Sequence, residues 1–379
     1  MSNVISSGVT DFFASLDDPR RQTRNTRHNF HDILTIALCG MICSADDWTS
    51  IANFGEAKRE WFETFLELPN GIPSHDTFND VFAKLDPQQF QECFIEWAAS
   101  LAKMLPDDVV AIDGKTLRRS FDKASSKPAI HMVSAWCTAN EICLGQVKTE
   151  AKSNEITAIP QLLKMLDLEG ALVTIDAMGC QRSIARDIRN KNADYLLGVK
   201  ENQLSLHDAI HDQYLVAEET GFSTDFSDLA VPSTKPRHGV AVRCRVTQKL
   251  STLGPLTEKW ADIKSLVVIE VELDENGKKG LERRFYISSR SENAQYFLES
   301  TRKHWQIENK LHWVLDVAFR EDDSRHRIGH SAENLATIRR IALNVLKNDK
   351  SIKLGIKNKR LKAGWTNDYL LKLIQDLGR

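Results

Sequence analysis

Two apolar runs each end in an aspartate followed by small residues. Val109-Val110-Ala111-Ile112 leads into Asp113-Gly114-Lys115, and Ala171-Leu172-Val173-Thr174-Ile175 leads into Asp176-Ala177-Met178-Gly179. Short runs of this kind read as buried strands, and in open α/β sheets ligands bind beyond the carboxyl ends of strands. If the two strands are neighbours, both carboxylates project into one crevice, where they repel each other unless a cation sits between them. Oxygen ligands suit Mg²⁺ or Mn²⁺, and Mg²⁺ typically takes one or two carboxylates together with phosphates and water. The plainer alternative makes Asp113-Gly114 a hairpin turn and Asp176 a helix cap.

A third acid lies in His304-Trp305-Gln306-Ile307-Glu308-Asn309-Lys310-Leu311-His312-Trp313. Residues four apart share a helical face, so His304, Glu308 and His312 are expected to point one way. Glu308 is the candidate ligand; Asp316, Glu321, Asp322 and Asp323 are close in sequence, and spacing alone does not choose among them. Gly114-Lys115-Thr116 resembles the end of a phosphate-binding loop. The glycine that such a loop needs five residues earlier is Val109 here, which excludes that reading.

The elements that must hold these residues divide the chain in two. Residues 10–104 read as helical: 32–44 and 47–68 have helical apolar periodicity, Ser74 and Asp76 are candidate caps for a helix through Leu85, and Asp86-Pro87 starts another ending near Met104. Leu105-Pro106-Asp107-Asp108 punctuates the chain. Strands are then expected at 109–113, 130–137 and 142–148, a helix at 156–166, a strand at 172–176, a helix at 183–191 and a strand at 194–199. The first three strands are spaced for antiparallel pairing and the later ones for parallel crossovers, giving a mixed sheet covered by helices. Residues 205–285 read as a mainly β insertion with strands at 241–248, 265–272 and 283–288, followed by helices over 294–317 and 332–347.

With 379 residues, 42% hydrophobic and 27% charged, the chain has the composition of a globular protein large enough for two domains, which excludes a disordered or fibrous one. No apolar run approaches the roughly 20 residues of a membrane span, and the N-terminus carries no secretory pattern; a cytoplasmic location is expected. Seven scattered cysteines without a C-x-x-C pair indicate buried thiols rather than disulfides or zinc. The net charge of −2 hides an asymmetry, because Thr301–Arg379 holds 17 Lys and Arg against 9 Asp and Glu. Such a strip is either a solvated face or a surface for phosphate backbones.

Four segments occur in order: Ala111-Ile-Asp-Gly-Lys-Thr-Leu-Arg118, Lys152-Ser-Asn-Glu-Ile-Thr-Ala-Ile-Pro160, Thr174-Ile-Asp-Ala-Met-Gly-Cys-Gln181 and His304 to Trp313. With Asn70 to Phe78, Tyr195 to Gln203 and Leu315 to Arg325, they resemble the H-repeat-associated insertion-sequence transposases of bacteria over nearly the whole chain. The resemblance implies a ribonuclease-H-like α/β domain at 105–348, a mixed sheet flanked by helices with the β-rich insertion. An N-terminal all-helical domain at 1–104 would serve DNA-end recognition or assembly, and 349–379 would be a basic tail.

It further implies an Asp, Asp, Glu triad that carries over to Asp113, Asp176 and Glu308, binding Mg²⁺ or Mn²⁺ as two ions. In that fold the first and fourth strands are neighbours. The activity implied is cleavage at element ends and strand transfer into target DNA, by a homodimer assembled on double-stranded DNA. Lys115, Arg118, Arg119 and Lys200 are then candidates for phosphate contacts, and Asn202 and Gln203 either touch DNA near the scissile bond or cap the next helix. Related enzymes carry Tyr and Arg seven and four residues before the glutamate and Lys seven after it. Here those positions hold Thr301, His304 and Leu315, so His304, Arg302 or Lys303 would have to substitute. Two other classes remain: a DNA-binding protein descended from a transposase but no longer active, and a metal-dependent phosphohydrolase of small molecules, which would have no use for the helical module.

Overall fold

The computed structural model describes residues 13–21, 26–102, 104–121, 128–149, 154–222, 225–232, 241–275 and 278–375. The N-terminal helices are α1 (Phe30–Ile42), α2 (Trp48–Ala57), α3 (His75–Lys84) and α4 (Pro87–Leu101). All but one of the residues of α1 are buried, so it is apolar all round and serves as a central helix. Ser74, not Asp76, caps α3 by accepting the Thr77 N–H. Asp86 caps α4, which begins with Pro87, where the missing N–H costs nothing.

The sheet comprises β1 (Val109–Thr116), β2 (His131–Cys137), β3 (Ile142–Lys148), β4 (Leu172–Ile175), β5 (Asp194–Val199), β6 (Phe226–Pro232), β7 (Ala241–Thr247), β8 (Ser265–Glu275) and β9 (Lys278–Ser288). All nine strands form one sheet in the order β3-β2-β1-β4-β5-β9-β8-β7-β6. As expected, β1 to β3 pair antiparallel, while β1–β4 and β4–β5 are parallel and bridged by α5 (Glu155–Met165) and α6 (Arg182–Asn190). Strand alternation splits β1 between two cores: Val110 and Ile112 pack with Ala158, Ile159 and Leu162 of α5, and Ala111 packs on the opposite side.

The region expected to be mainly β opens instead with a long helix, α7 (Leu204–Thr220). Only Leu206, Ile210 and Tyr214 of this helix are buried, an apolar stripe too thin to stand out in a polar segment. Its strands do not form a separate unit either. β9 pairs antiparallel with β5, so the insertion lengthens the main sheet.

The expected helix over 294–317 is interrupted. It forms α8 (Ala294–His304), a π-helical turn (Ile307–His312) and α9 (Trp313–Phe319). Beyond a 3₁₀ turn at Glu321–Asp323 come α10 (Ser331–Asn348), α11 (Ile356–Trp365) and α12 (Asn367–Gln375). The segment read as a basic tail is thus helical up to Gln375, and it is packed: Ala363, Leu370, Leu373 and Ile374 share one apolar core with α1 to α4 and α10. Two of its cations are buried. Lys359 Nζ donates to the carbonyls of Leu346 and Asp349, and Arg360 donates to Met41 O and to Asp46. All seven cysteines are free thiols, and all but Cys43 are buried.

Candidate active site

Parallel pairing of β1 with β4 runs from Val109↔Leu172 to Ile112↔Ile175, so Asp113 and Asp176 come next, side by side. The hairpin alternative fails: β1 continues through Asp113 to Thr116, paired with β2 as Asp113↔Ser134, Gly114↔Val133 and Lys115↔Met132. Asp176 folds back on its own backbone, its Oδ1 accepting the N–H groups of Met178 (3.0 Å) and Gly179 (3.4 Å).

Opposite Asp113, the π-helical turn presents Glu308 and His312. His312 Nδ1 lies 3.6 Å from Asp113 Oδ2 and 3.6 Å from Glu308 Oε2. Asp113, Glu308 and His312 each offer a ligand atom within 4.8 Å of the others, the only such group among the described residues. Burial pushes Asp113 up to about 8, reinforced by its hydrogen bond with Glu308 and by the charges of Glu308 and Asp176. The hydrogen bond from His312 pulls Glu308 down. Burial raises Asp176 as well, and the Glu155 carboxylate adds to the effect.

A carboxyl held above its ordinary 3.8 stabilises the folded state while it is protonated. That contribution is complete below the unfolded value and is lost as pH rises through the folded one. In EDTA the protein is therefore expected to lose stability between about pH 4 and pH 8, and Asp113→Asn to remove that dependence; thermal unfolding of both proteins across this range is the measurement.

The acids that competed with Glu308 are all engaged elsewhere. Lys115 Nζ contacts Asp316 (2.5 Å) and Asp322 (3.1 Å), Glu321 is wholly buried against Arg340 NH1 (2.8 Å), and Asp323 meets Arg119 and Arg320. The expected phosphate contact at Lys115 is corrected by the same geometry, since this side chain is 9% exposed and already paired. Arg118 and Arg119 are exposed, resting on Asp322 (3.2 Å) and Asp323 (3.4 Å).

His304 does not join Glu308 and His312. Its Nδ1 lies 3.0 Å from Thr174 Oγ1 on β4, and burial lowers it to about 4, so it is neutral at pH 7 and carries no charge for a phosphate. The π turn between residues 304 and 312 breaks the regular helical spacing on which the shared face depended. Thr301 and Leu315 are both buried. Asn202 and Gln203 brace the loop after β4, donating to Ala177 O (2.7 Å) and Cys180 O (2.9 Å), and neither side chain caps α7. Lys200 is exposed beside that loop.

Two features escaped the sequence reading. A cleft of about 700 Å³ extends from Asp176 between Lys200, Arg284, His304 and Trp305. The pair His131 and Glu155 lies over Gly114, Nε2 to Oε1 at 2.8 Å; its signal was the segment around Glu155, of which Lys152 and Ser153 lie outside the described residues. A larger cleft of about 990 Å³ lies away from the carboxylates, bordered by Arg20, Arg21, Arg27 and Lys84 with Asp76 and Asp80.

A helix-covered mixed sheet that sets two strand-end aspartates against a helical glutamate is the arrangement of a DDE transposase. Residues 105–345 match the family described as Transposase DDE domain and residues 10–98 the one described as DDE_Tnp_1-associated; the chain belongs to the DDE transposases. It is 41% identical over 370 residues to "Putative transposase YncI" of Escherichia coli O157:H7, covering 97% of this chain and 94% of that one. It is 39% identical over 367 residues to "H repeat-associated putative transposase YhhI" of Escherichia coli strain K12, covering 94% and 95%. A likeness of TM-score 0.47 at 12% identity joins 98% of the chain to 79% of a piggyBac transposase in a synaptic complex with hairpin DNA.

Proposed function

We propose that this chain cleaves DNA at the ends of an insertion sequence and joins them to target DNA, with Asp113, Asp176 and Glu308 as its catalytic carboxylates. The observation that carries the reading is the crowding of Asp113 and Glu308 around one point, severe enough to raise Asp113 to about 8. Such crowding is relieved by a divalent cation, and the oxygen-rich donor set suits Mg²⁺ or Mn²⁺. Strand order β3-β2-β1-β4-β5, antiparallel and then parallel, supports a ribonuclease-H-like core.

Asp113 and Glu308 would hold one ion and Asp176 a second. When bound, the ions activate the attacking oxygen and stabilise the leaving 3′-oxygen, the role of two-metal sites in phosphoryl transfer. The chain's own residues do the positioning. His312 keeps the Glu308 carboxylate turned toward Asp113. The backbone N–H groups of Met178 and Gly179 fix Asp176, and Asn202 and Gln203 hold that loop to the start of α7.

Arg118, Arg119 and Lys200, exposed around the carboxylates, would meet phosphates of double-stranded DNA, while Lys115 positions the end of β1 from within. The basic cleft beside α3 is the candidate for recognising element ends, and assembly as a homodimer on DNA belongs to the same reading. No described helix is long and apolar enough to cross a membrane.

The test is nicking of a duplex carrying the flanking terminal repeat, in Mg²⁺ and in EDTA, beside a duplex with that repeat scrambled. Nicking at the element end only in Mg²⁺ is expected. Binding of the end without nicking in either condition would overturn the enzymatic reading in favour of an inactive DNA-binding protein.

A further inference from the structure

Glu155 plays no part in the reaction as described, yet its setting is built. It opens α5, where the Asn154 side chain caps the helix by accepting the Ile156 N–H (3.1 Å), and its side chain is only 16% exposed. Its Oε1 lies 2.8 Å from His131 Nε2, and His131 Nδ1 lies 2.9 Å from Thr116 Oγ1. With the Thr116 hydroxyl donating to Nδ1, Nε2–H is left to donate to Glu155, so β1 and β2 together aim one carboxylate. The chain of contacts arcs over Gly114, where a Cβ would come within 2.2 Å of Glu155 Oε1 and 2.3 Å of His131 Nε2. The residue after Asp113 must therefore lack a side chain for this carboxylate to lie against the strand.

Strand alternation gives the location its meaning. Asp113 shares the face of Ala111 and meets Glu308 and His312 there, whereas Gly114 shares the face of Ile112, which packs on α5. Asp176 is outside the Asp113, Glu308 and His312 group, so those three do not supply what a second ion needs beside it. Glu155 is the acidic neighbour whose charge bears most strongly on Asp176.

We propose that Glu155 is a fourth carboxylate of the cation-binding centre, forming with Asp176 the site of the second ion on the α5 side of the sheet, and that His131 positions it. The assignment rests on the metal-dependent reading above. The site is a pair of oxygen ligands from a strand end and a helix start, open to water and to a phosphate oxygen, as Mg²⁺ and Mn²⁺ require.

The test counts Mn²⁺ bound to the full-length protein by electron paramagnetic resonance of the free ion, for wild type, Glu155→Gln, His131→Gln and Asp113→Asn. Wild type is expected to bind two ions and Glu155→Gln one. His131→Gln is expected to keep both, with the second weakened by about tenfold, the lower end of what loss of a partner behind a metal ligand costs. In nicking assays His131→Gln should raise the Mn²⁺ needed for half-maximal rate and leave the rate at saturating Mn²⁺ unchanged, a split that a general packing defect would not produce. Two ions bound by Glu155→Gln with wild-type affinities would overturn the proposal while the centre at Asp113 stands. No Mn²⁺ bound by wild type would overturn both it and the reading on which it rests.

Discussion

Asp113→Asn and Glu308→Ala each lower metal-dependent nicking of the element end by about three orders of magnitude and leave binding of the same duplex unchanged. A cation at these carboxylates stabilises several kcal/mol of transition-state charge, and about 4 kcal/mol corresponds to about a thousandfold in rate. The two substitutions act differently on the protein itself. Asparagine fills the place of Asp113 without its charge, which relieves the repulsion that raises this group, so the metal-free fold should tolerate it or gain from it. Alanine at Glu308 frees His312, whose ring is almost wholly buried and whose Nε2 has no partner among the described residues. Gel-shift and nicking titrations on one duplex separate binding from chemistry. Nicking retained by Glu308→Ala would exclude this residue, and the competing acids would then need a new examination, beginning with Asp316, the one nearest Lys115.

Arg340→Met destabilises the protein by roughly 3–5 kcal/mol at pH 7, the cost of leaving a buried charge without its partner. Glu321 and Arg340 are both fully buried and 2.8 Å apart, and Glu321 is held below its ordinary value by Arg340 and, beyond it, by Arg339 and Lys115 against the opposing effect of burial. A depressed carboxyl contributes stability above its unfolded value and loses it as pH falls through the folded one. The deficit of Arg340→Met should accordingly be complete at neutral pH and shrink on acidification, as Glu321 takes up a proton. The double variant Arg340→Met with Glu321→Leu, which replaces the ion pair by apolar contact, should recover most of the loss. Denaturant unfolding of the single and double variants at pH 7 and pH 5 measures both effects; equal deficits in the two variants would show that packing and not charge is responsible.

The neighbouring of Asp113 and Asp176 was legible because each ends an apolar run, and parallel register then sets them side by side. The choice of Glu308 was not, since it depends on which acids find cations. Lys115, Arg340 and Arg119 occupy Asp316, Glu321 and Asp323 through contacts that no local pattern encodes. His304 was misread for a local reason: the inserted residue of a π turn leaves no mark on apolar periodicity. The basic composition of 349–379 pointed toward solvent or DNA, but Arg360 is buried against a carbonyl 319 residues away, at Met41. Glu155 and His131 lie 24 residues apart on different elements, and only the fold brings them together.

The shared core of the first and last helices also governs how the protein can be made. α1 is apolar on every side, and part of its cover comes from α10, α11 and α12, the final segments to leave the ribosome. At about 5–20 residues per second, the nascent chain spends roughly 15–60 s with α1 incompletely covered. Throughout that interval it is a client for chaperones and proteases, and no carboxyl-terminally truncated copy leaves that state. Completion of synthesis is therefore built in as a condition for a stable protein: a shortened reading frame yields a chain that is cleared, not a partially active enzyme.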